Sequence, residues 1–301
     1  MFIPRSHNLN WPLSSKLWFA KYWKPVNSLG FRDNEPALNQ HVILFVGDSY
    51  TAGYGLKSVQ DRFSNIVGSE LRQKKDRYSV INIGKNGMDS RGEYDLMRQF
   101  IYLTRIKPEK IILQYHGNDI EVAAYREGLY KVDLSILGEE IPIMTRLRQA
   151  TNNGFMINAL DHRVNIPDKY GFLIFMGSGS YFINYLYWSF PQDNISYEKF
   201  LVQAFNNQVV LAKHEDDLRL FVDFAQKNSI KLIVLVFPQL ENTEWSDRLY
   251  GHHVVSFFKA NNVDVINVSE LVKNIPIPER IISKNDRHAS AKVNRIIARE
   301  I

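Results

Sequence analysis

Four short stretches of this chain carry residue types suited to nucleophilic chemistry: Gly47-Asp48-Ser49, Lys85-Asn86-Gly87, Gly117-Asn118-Asp119 and Asp286-Arg287-His288. Acyl transfer through a serine needs a base to take the hydroxyl proton, a group to orient that base, and donors for the developing oxyanion. Ser49 is the candidate nucleophile. His288 is the candidate base, with Asp286 two residues ahead of it. The backbone N–H groups of Ser49 and Gly87 can face a developing negative charge, since glycine permits close approach. The side-chain amide of Asn118 is a third donor, neutral and so able to serve without attracting a proton.

These residues need a frame that brings them to one place. Val42–Val46 is a continuous apolar run rich in β-branched types, which reads as a strand buried on both faces and ending at Gly47-Asp48-Ser49. Ser79–Ile83 reads as a second strand closed by Gly84-Lys85-Asn86-Gly87, and Ile111–Tyr115 as a third running into His116-Gly117-Asn118-Asp119. Further strands are predicted over Ile230–Phe237 and Val263–Val268. Helical spacing covers Asp61 to Gln73, residues 90–105, Ser196 to Lys227, Trp245 to Ala260 and Ala289 to Ile301. Strands alternating with helices predict a three-layer α/β/α fold around a mainly parallel sheet. The first three strand-end turns then converge on one edge, where such sheets place their ligands. Residues 1–40, with Trp11, Trp18 and Trp23 and with Pro12, Pro25 and Pro36 interrupting any long helix, read as an N-terminal wrapping arm to a domain over 41–301. The alternation breaks at about 122–195, which reads as a cap-like insertion.

Composition narrows the classes. The chain has 301 residues, 45% hydrophobic and 23% charged, which is ordinary for a soluble globular protein. A net charge of +5 with scattered lysines and arginines describes a solvated basic surface and gives no nucleic-acid footprint. The absence of cysteine excludes disulfides, thiolate metal sites and cysteine catalysis. No stretch reads as a membrane span: Phe172 to Phe190 lacks charge but includes Gly177, Ser178, Gly179, Ser180 and Asn184. The start lacks the pattern of a secretory signal, so a cytoplasmic location is the default expectation, with export or anchoring left open.

Gly47-Asp48-Ser49-Tyr50, Asn82-Ile83-Gly84-Lys85-Asn86-Gly87, Gly117-Asn118-Asp119 and Asp286-Arg287-His288 resemble, in order, the four blocks of the SGNH (GDSL-type) hydrolases. Each block alone is common; four in order, three of them at strand ends, are specific. The resemblance runs from about residue 41 to the C-terminus apart from the 122–195 insertion. In the arm, Asn27-Ser28-Leu29-Gly30-Phe31-Arg32-Asp33 is similar to bacterial members. It implies a flavodoxin-like sandwich with a five-stranded parallel sheet and an esterase, lipase, thioesterase or carbohydrate acetylesterase that needs no metal or other cofactor. It implies Ser49 as nucleophile, His288 as general base, and Ser49, Gly87 and Asn118 as oxyanion donors. The substrate would be a small-molecule, carbohydrate or lipid ester, O-acetyl esters included. Two positions depart from the family pattern. Tyr50 replaces the leucine of the name-giving motif, and Asn285 stands where the triad acid usually lies, three residues before the histidine. Either Asp286 serves instead or a backbone carbonyl orients His288. Two other functions use the same frame: acyl transfer to a sugar hydroxyl, and a non-catalytic binding module.

Neighbouring residues have plainer readings. Asp48 reads as a structural acid bonding nearby N–H groups, Gly84 as a turn residue, and Asp119 as a cap. His116 reads as a pocket wall. His252-His253 lack further ligands for a metal, and Glu215-Asp216-Asp217 read as a solvated helical face. The aromatic segment 170–190 is either a core helix of the insertion or an apolar cap that holds an acyl chain.

Overall fold

The computed structural model of the chain describes residues 13–38, 41–129, 195–284 and 286–301. The aromatic segment 170–190, most of the 122–195 insertion, the start of the arm and Asn285 lie outside the described residues. Two compact units divide the described residues. The smaller includes helix α1 (Leu13–Tyr22), where Trp18, Phe19 and Trp23 pack ring against ring, Phe19 and Trp23 at 4.9 Å. The larger, Lys24–Leu129 with Leu201–Ile301, contains every candidate site residue.

Five parallel strands form the sheet of the larger unit: β1 (Val42–Val46), β2 (Ser79–Asn82), β3 (Pro108–Tyr115), β4 (Lys231–Val236) and β5 (Asp264–Asn267). Their order is β2-β1-β3-β4-β5, the flavodoxin-like arrangement in which the chain reverses direction beside β1. All five residues of β1 are buried because helices cover both faces of the central strand. On one face Ile43, Phe45, Ile112, Ile233 and Leu235 pack with Phe63 and Val67 of α3 (Phe63–Gln73) and with Val293 and Ile297 of the last helix, Ala291–Glu300. On the other, α4 (Ser90–Thr104) meets the long helix Gln208–Lys227, with the Tyr94 and Phe221 rings 5.3 Å apart. The fold is the expected α/β/α sandwich.

Three expectations are corrected. The helical pattern from 196 to 227 is two helices, Ile195–Asn206 and Gln208–Lys227. Asn207 breaks it, turning its side chain onto the N–H groups of Val209 and Val210 as an N-cap. The final helix starts two residues later than its periodicity suggests: Ala289 ends a short strand, β7 (Asp286–Ala289), paired antiparallel with β6 (Ile281–Ser283). Asp217 is buried and not part of a solvated face, with Arg126 at 3.2 Å and Arg91 at 3.5 Å. No helix among the described residues is long and apolar enough to cross a membrane.

Candidate active site

The carboxyl ends of β1, β2 and β3 lie side by side because the strands are parallel and adjacent, so the three turns meet at one edge. After β1, a one-turn helix, α2 (Ser49–Ala52), begins at Asp48, whose Oδ1 accepts from Tyr50 N at 2.9 Å. Buried Gln114 on β3 fastens this turn, its Oε1 accepting from Asp48 N (3.1 Å), Thr51 N (3.3 Å) and Thr51 Oγ1 (2.9 Å). Asn82 fastens it from β2, donating to Thr51 O at 2.8 Å and Ser64 Oγ at 2.7 Å. A Cβ at Gly84 would stand 2.5 Å from Ala52 N, so glycine is what lets the second turn approach the first. In the turn from Lys85 to Met88, closed by Met88 N donating to Lys85 O at 3.3 Å, Gly87 takes φ 70° at the third position.

The β6–β7 ribbon carries the other half of the site. His288 Nε2 lies 2.8 Å from Ser49 Oγ, and His288 Nδ1 lies 2.6 Å from Asp286 Oδ1. The same carboxylate accepts from His288 N at 3.2 Å. The carboxylate two residues before the histidine therefore reaches the ring. Asp286 and His288 are alternate residues of a strand, so their side chains share one side of it. Burial pushes the Asp286 carboxyl up, but the hydrogen bond and positive field of His288 outweigh it and hold the group below its ordinary value.

Two tyrosine rings pack on the imidazole, Tyr50 at 5.0 Å and Tyr54 at 4.7 Å between centroids. Tyr50, in the place of the family leucine, is thus a packing residue against His288, with Phe237 behind it at 4.9 Å. Gly55 follows with φ 78°, and a Cβ there would meet Asp286 Oδ2 at 2.4 Å.

The third turn brings Asn118 beside Asp48, with Asn118 Nδ2 donating to Asp48 Oδ2 at 3.0 Å. Asp119 caps its own turn and not the segment that follows, its Oδ2 accepting from His116 N at 2.7 Å. Among the described residues the N–H groups of Ser49 and Gly87 have no hydrogen-bond partner. Ser49, Gly87, Asn118, Asp286 and His288 thus come from three strand-end turns and one ribbon onto one sheet edge. His252 and His253 lie elsewhere, His253 pairing with Glu215 at 2.8 Å, and no group of three or more metal-ligating side chains occurs among the described residues.

Sequence reasoning missed a support under this edge. Arg32, in the Asn27–Asp33 turn, is buried and donates to the carbonyls of Gly53 and Leu56, the latter at 2.6 Å. Buried Arg62 donates to Arg32 O at 2.6 Å and pairs with Asp33 at 2.8 Å. The two arginines tie the arm's last turn to the loop that follows Ser49. The signal was present: an arginine and an aspartate inside a turn otherwise made of small and apolar residues.

Comparison with curated proteins gives no match. Solved structures with similarity to the chain include that of TesA (11% identity, TM-score 0.48, covering 85% of this chain and 93% of that one). Another is an acetyl xylan esterase, AlAXEase (16% identity, TM-score 0.47, covering 86% and 96%). A third is a putative lipolytic protein of the G-D-S-L family from Desulfitobacterium hafniense DCB-2 (13% identity, TM-score 0.45, covering 87% and 100%). Residues 45–153 match the model of the GDSL-like lipase/acylhydrolase family. Three of the four blocks lie at adjoining strand ends and the fourth reaches Ser49, and the stretch similar to the GDSL-like lipase/acylhydrolase family is the one that carries the first three.

Proposed function

We propose that this chain is a serine ester hydrolase that cleaves an acyl ester of a small molecule, carbohydrate or lipid through a Ser49–His288–Asp286 relay. The observation that carries the reading is the unbroken run of contacts from Ser49 Oγ to His288 Nε2 at 2.8 Å and from His288 Nδ1 to Asp286 Oδ1 at 2.6 Å. Ser49 Oγ attacks the acyl carbon while neutral His288 takes its proton at Nε2. The tetrahedral oxyanion sits against the Ser49 and Gly87 N–H groups and the Asn118 amide. Collapse breaks the bond to the alcohol oxygen, which leaves with the proton from His288. Water, deprotonated by the same imidazole, then releases the acid and restores Ser49. Asp286 holds Nδ1–H and stabilises the imidazolium formed in both steps.

The test is hydrolysis of p-nitrophenyl esters from acetate to dodecanoate by wild type and Ser49→Ala, with fluorophosphonate labelling alongside. The expected result is activity and labelling in wild type and neither in the variant. A preference for acetate marks a deacetylase, and a preference for long chains marks a lipase-like esterase. A wild-type protein inert to every ester and to the label refutes the reading.

A further inference from the structure

We infer that His116 is a positioning residue for the oxyanion donor: its Nδ1–H holds Asn118 Oδ1 and so keeps the amide nitrogen turned toward the reaction centre. The inference rests on the ester-hydrolase reading above and adds to it a residue that touches neither substrate nor Ser49. Asn118 Nδ2 lies 3.0 Å from Asp48 Oδ2 and 3.4 Å from Met88 O. Both neighbours are acceptors, so the amide must present N–H groups to them; a flipped amide would set its oxygen against a carboxylate. Asn118 Oδ1 therefore faces the other way, onto His116 Nδ1 at 2.7 Å. Two acceptors at that distance repel, and the contact is attractive only with a proton on Nδ1. The geometry thus selects the Nδ1–H tautomer of His116.

The rest of its surroundings keeps the ring neutral and still. His116 is buried, and burial lowers its proton affinity, with Asp48 and the Asn118 contact acting in the opposite sense and His288 in the same one. Its Nε2 has no partner among the described residues, so the ring meets Asn118 through Nδ1 alone. Tyr50 packs on the ring at 4.9 Å and Tyr250 meets it edge-on at 6.3 Å. The backbone N–H of His116 is tied to Asp119, so ring and amide are carried by one short turn. Of the two N–H groups of Asn118, one is bound to Asp48. The other has only the long contact to Met88 O and is available to the oxyanion. Without His116 the amide keeps its contacts to Asp48 and Met88 but loses the clamp on its oxygen, and a donor held less rigidly loses part of its effect on the transition state.

The decisive experiment is a double-mutant cycle between His116→Leu and Asn118→Ala, read as kcat and KM on a p-nitrophenyl ester, together with imidazole 15N NMR of wild type. His116→Leu should lower kcat by about 10- to 100-fold, a part of the loss on deleting the donor outright, with KM changed by less than about 2-fold. His116→Asn, whose Nδ2 takes the place of Nδ1, should recover most of the lost turnover. In the Asn118→Ala background, His116→Leu should cost nothing more. Additive losses, or a His116→Asn variant that melts like wild type yet turns over no faster than His116→Leu, overturn the inference. NMR tests it without any variant: a resting His116 that carries its proton on Nε2 overturns the inference even in a fully active enzyme. If wild type neither hydrolyses esters nor takes the fluorophosphonate label, the hydrolase reading fails and the role of His116 falls with it.

Discussion

Alanine at Gly55 disturbs the His288–Asp286 contact while leaving both residues in the sequence. Gly55 has φ 78°, and an added Cβ would sit 2.4 Å from Asp286 Oδ2 where ordinary contact begins near 3.4 Å. The carboxylate must retreat by about 1 Å. Its 2.6 Å contact with His288 Nδ1 then stretches past hydrogen-bond range. Left-handed backbone at a residue with a Cβ costs about 1–2 kcal/mol in stability. Misplacing a catalytic group by an ångström costs on the order of 10²-fold in rate, and losing the orienting carboxylate altogether costs about 10⁴-fold. Turnover should therefore fall by roughly 10²- to 10³-fold. Gly128 provides the control: it has the same φ of 78°, and a Cβ there meets nothing within 4 Å. The assay is kcat and KM on p-nitrophenyl acetate, with thermal melting of both variants. Gly55→Ala and Gly128→Ala should both lose about 1–2 kcal/mol of stability, and only Gly55→Ala should lose turnover. Wild-type turnover in a folded Gly55→Ala protein would refute the argument that Asp286 orients His288.

Four further outcomes are expected. Asn118→Ala should lower kcat by about 10²- to 10³-fold, roughly 3–4 kcal/mol, and leave KM nearly unchanged; an unchanged kcat removes Asn118 from the oxyanion site. Asp286→Asn should lower kcat by about 10⁴-fold through the wrong imidazole tautomer, while turnover near wild type would mean that another group orients His288. Arg32→Met should lower the melting temperature by the equivalent of about 2–4 kcal/mol, because the carbonyls of Gly53 and Leu56 lose a charged donor; an unaltered melt sinks that account. Asp89 caps α4 by accepting from Gly92 N at 2.9 Å, and burial pushes its carboxyl from 3.8 up to about 6. An acid whose folded pKa is raised binds more protons in the native state, so stability falls as pH rises from about 4 to about 6 and then levels. Asp89→Asn keeps the acceptor and removes the titration. Its melting temperature relative to wild type should rise across that window and stay constant above it, and a constant difference at all pH values contradicts the burial argument.

The legible parts of this fold are those set by local pattern. β1 and β3 are long enough and apolar enough that a strand is the only economical reading, and the small residues after them mark where each strand stops. The His288 ribbon is different: β6 and β7 have three and four residues, show no alternation of burial and contain two charged side chains. Nothing local distinguishes such a ribbon from a loop before a helix. Beside it the buried Arg280 gathers the carbonyls of Ile275, Leu240 and Lys273, contacts that no local pattern announces. Asp217 misled for a related reason. In Glu215-Asp216-Asp217 three acids look equally solvated, and only the approach of Arg91 and Arg126 from other helices lets the third be buried.

The sequence by itself determined the chemistry on offer: a serine at the end of a buried strand, a glycine-bearing turn, an asparagine amide and an Asp-x-His pair, with no thiol anywhere. It also determined a parallel α/β sheet, since hydrophobic runs and helical periodicity are properties of adjacent residues. Tertiary structure alone decided which acid faces the histidine. The Asp286–His288 contact depends on the strand geometry of the ribbon, and the bridge from His288 to Ser49 spans 239 positions of chain. Likewise the role inferred for His116 rests on Asp48 and Met88 claiming one side of the Asn118 amide, a contact among three separate turns. Hydrogen bonds between distant segments are directional and short-ranged, so they leave no periodic trace in the sequence that folds to make them.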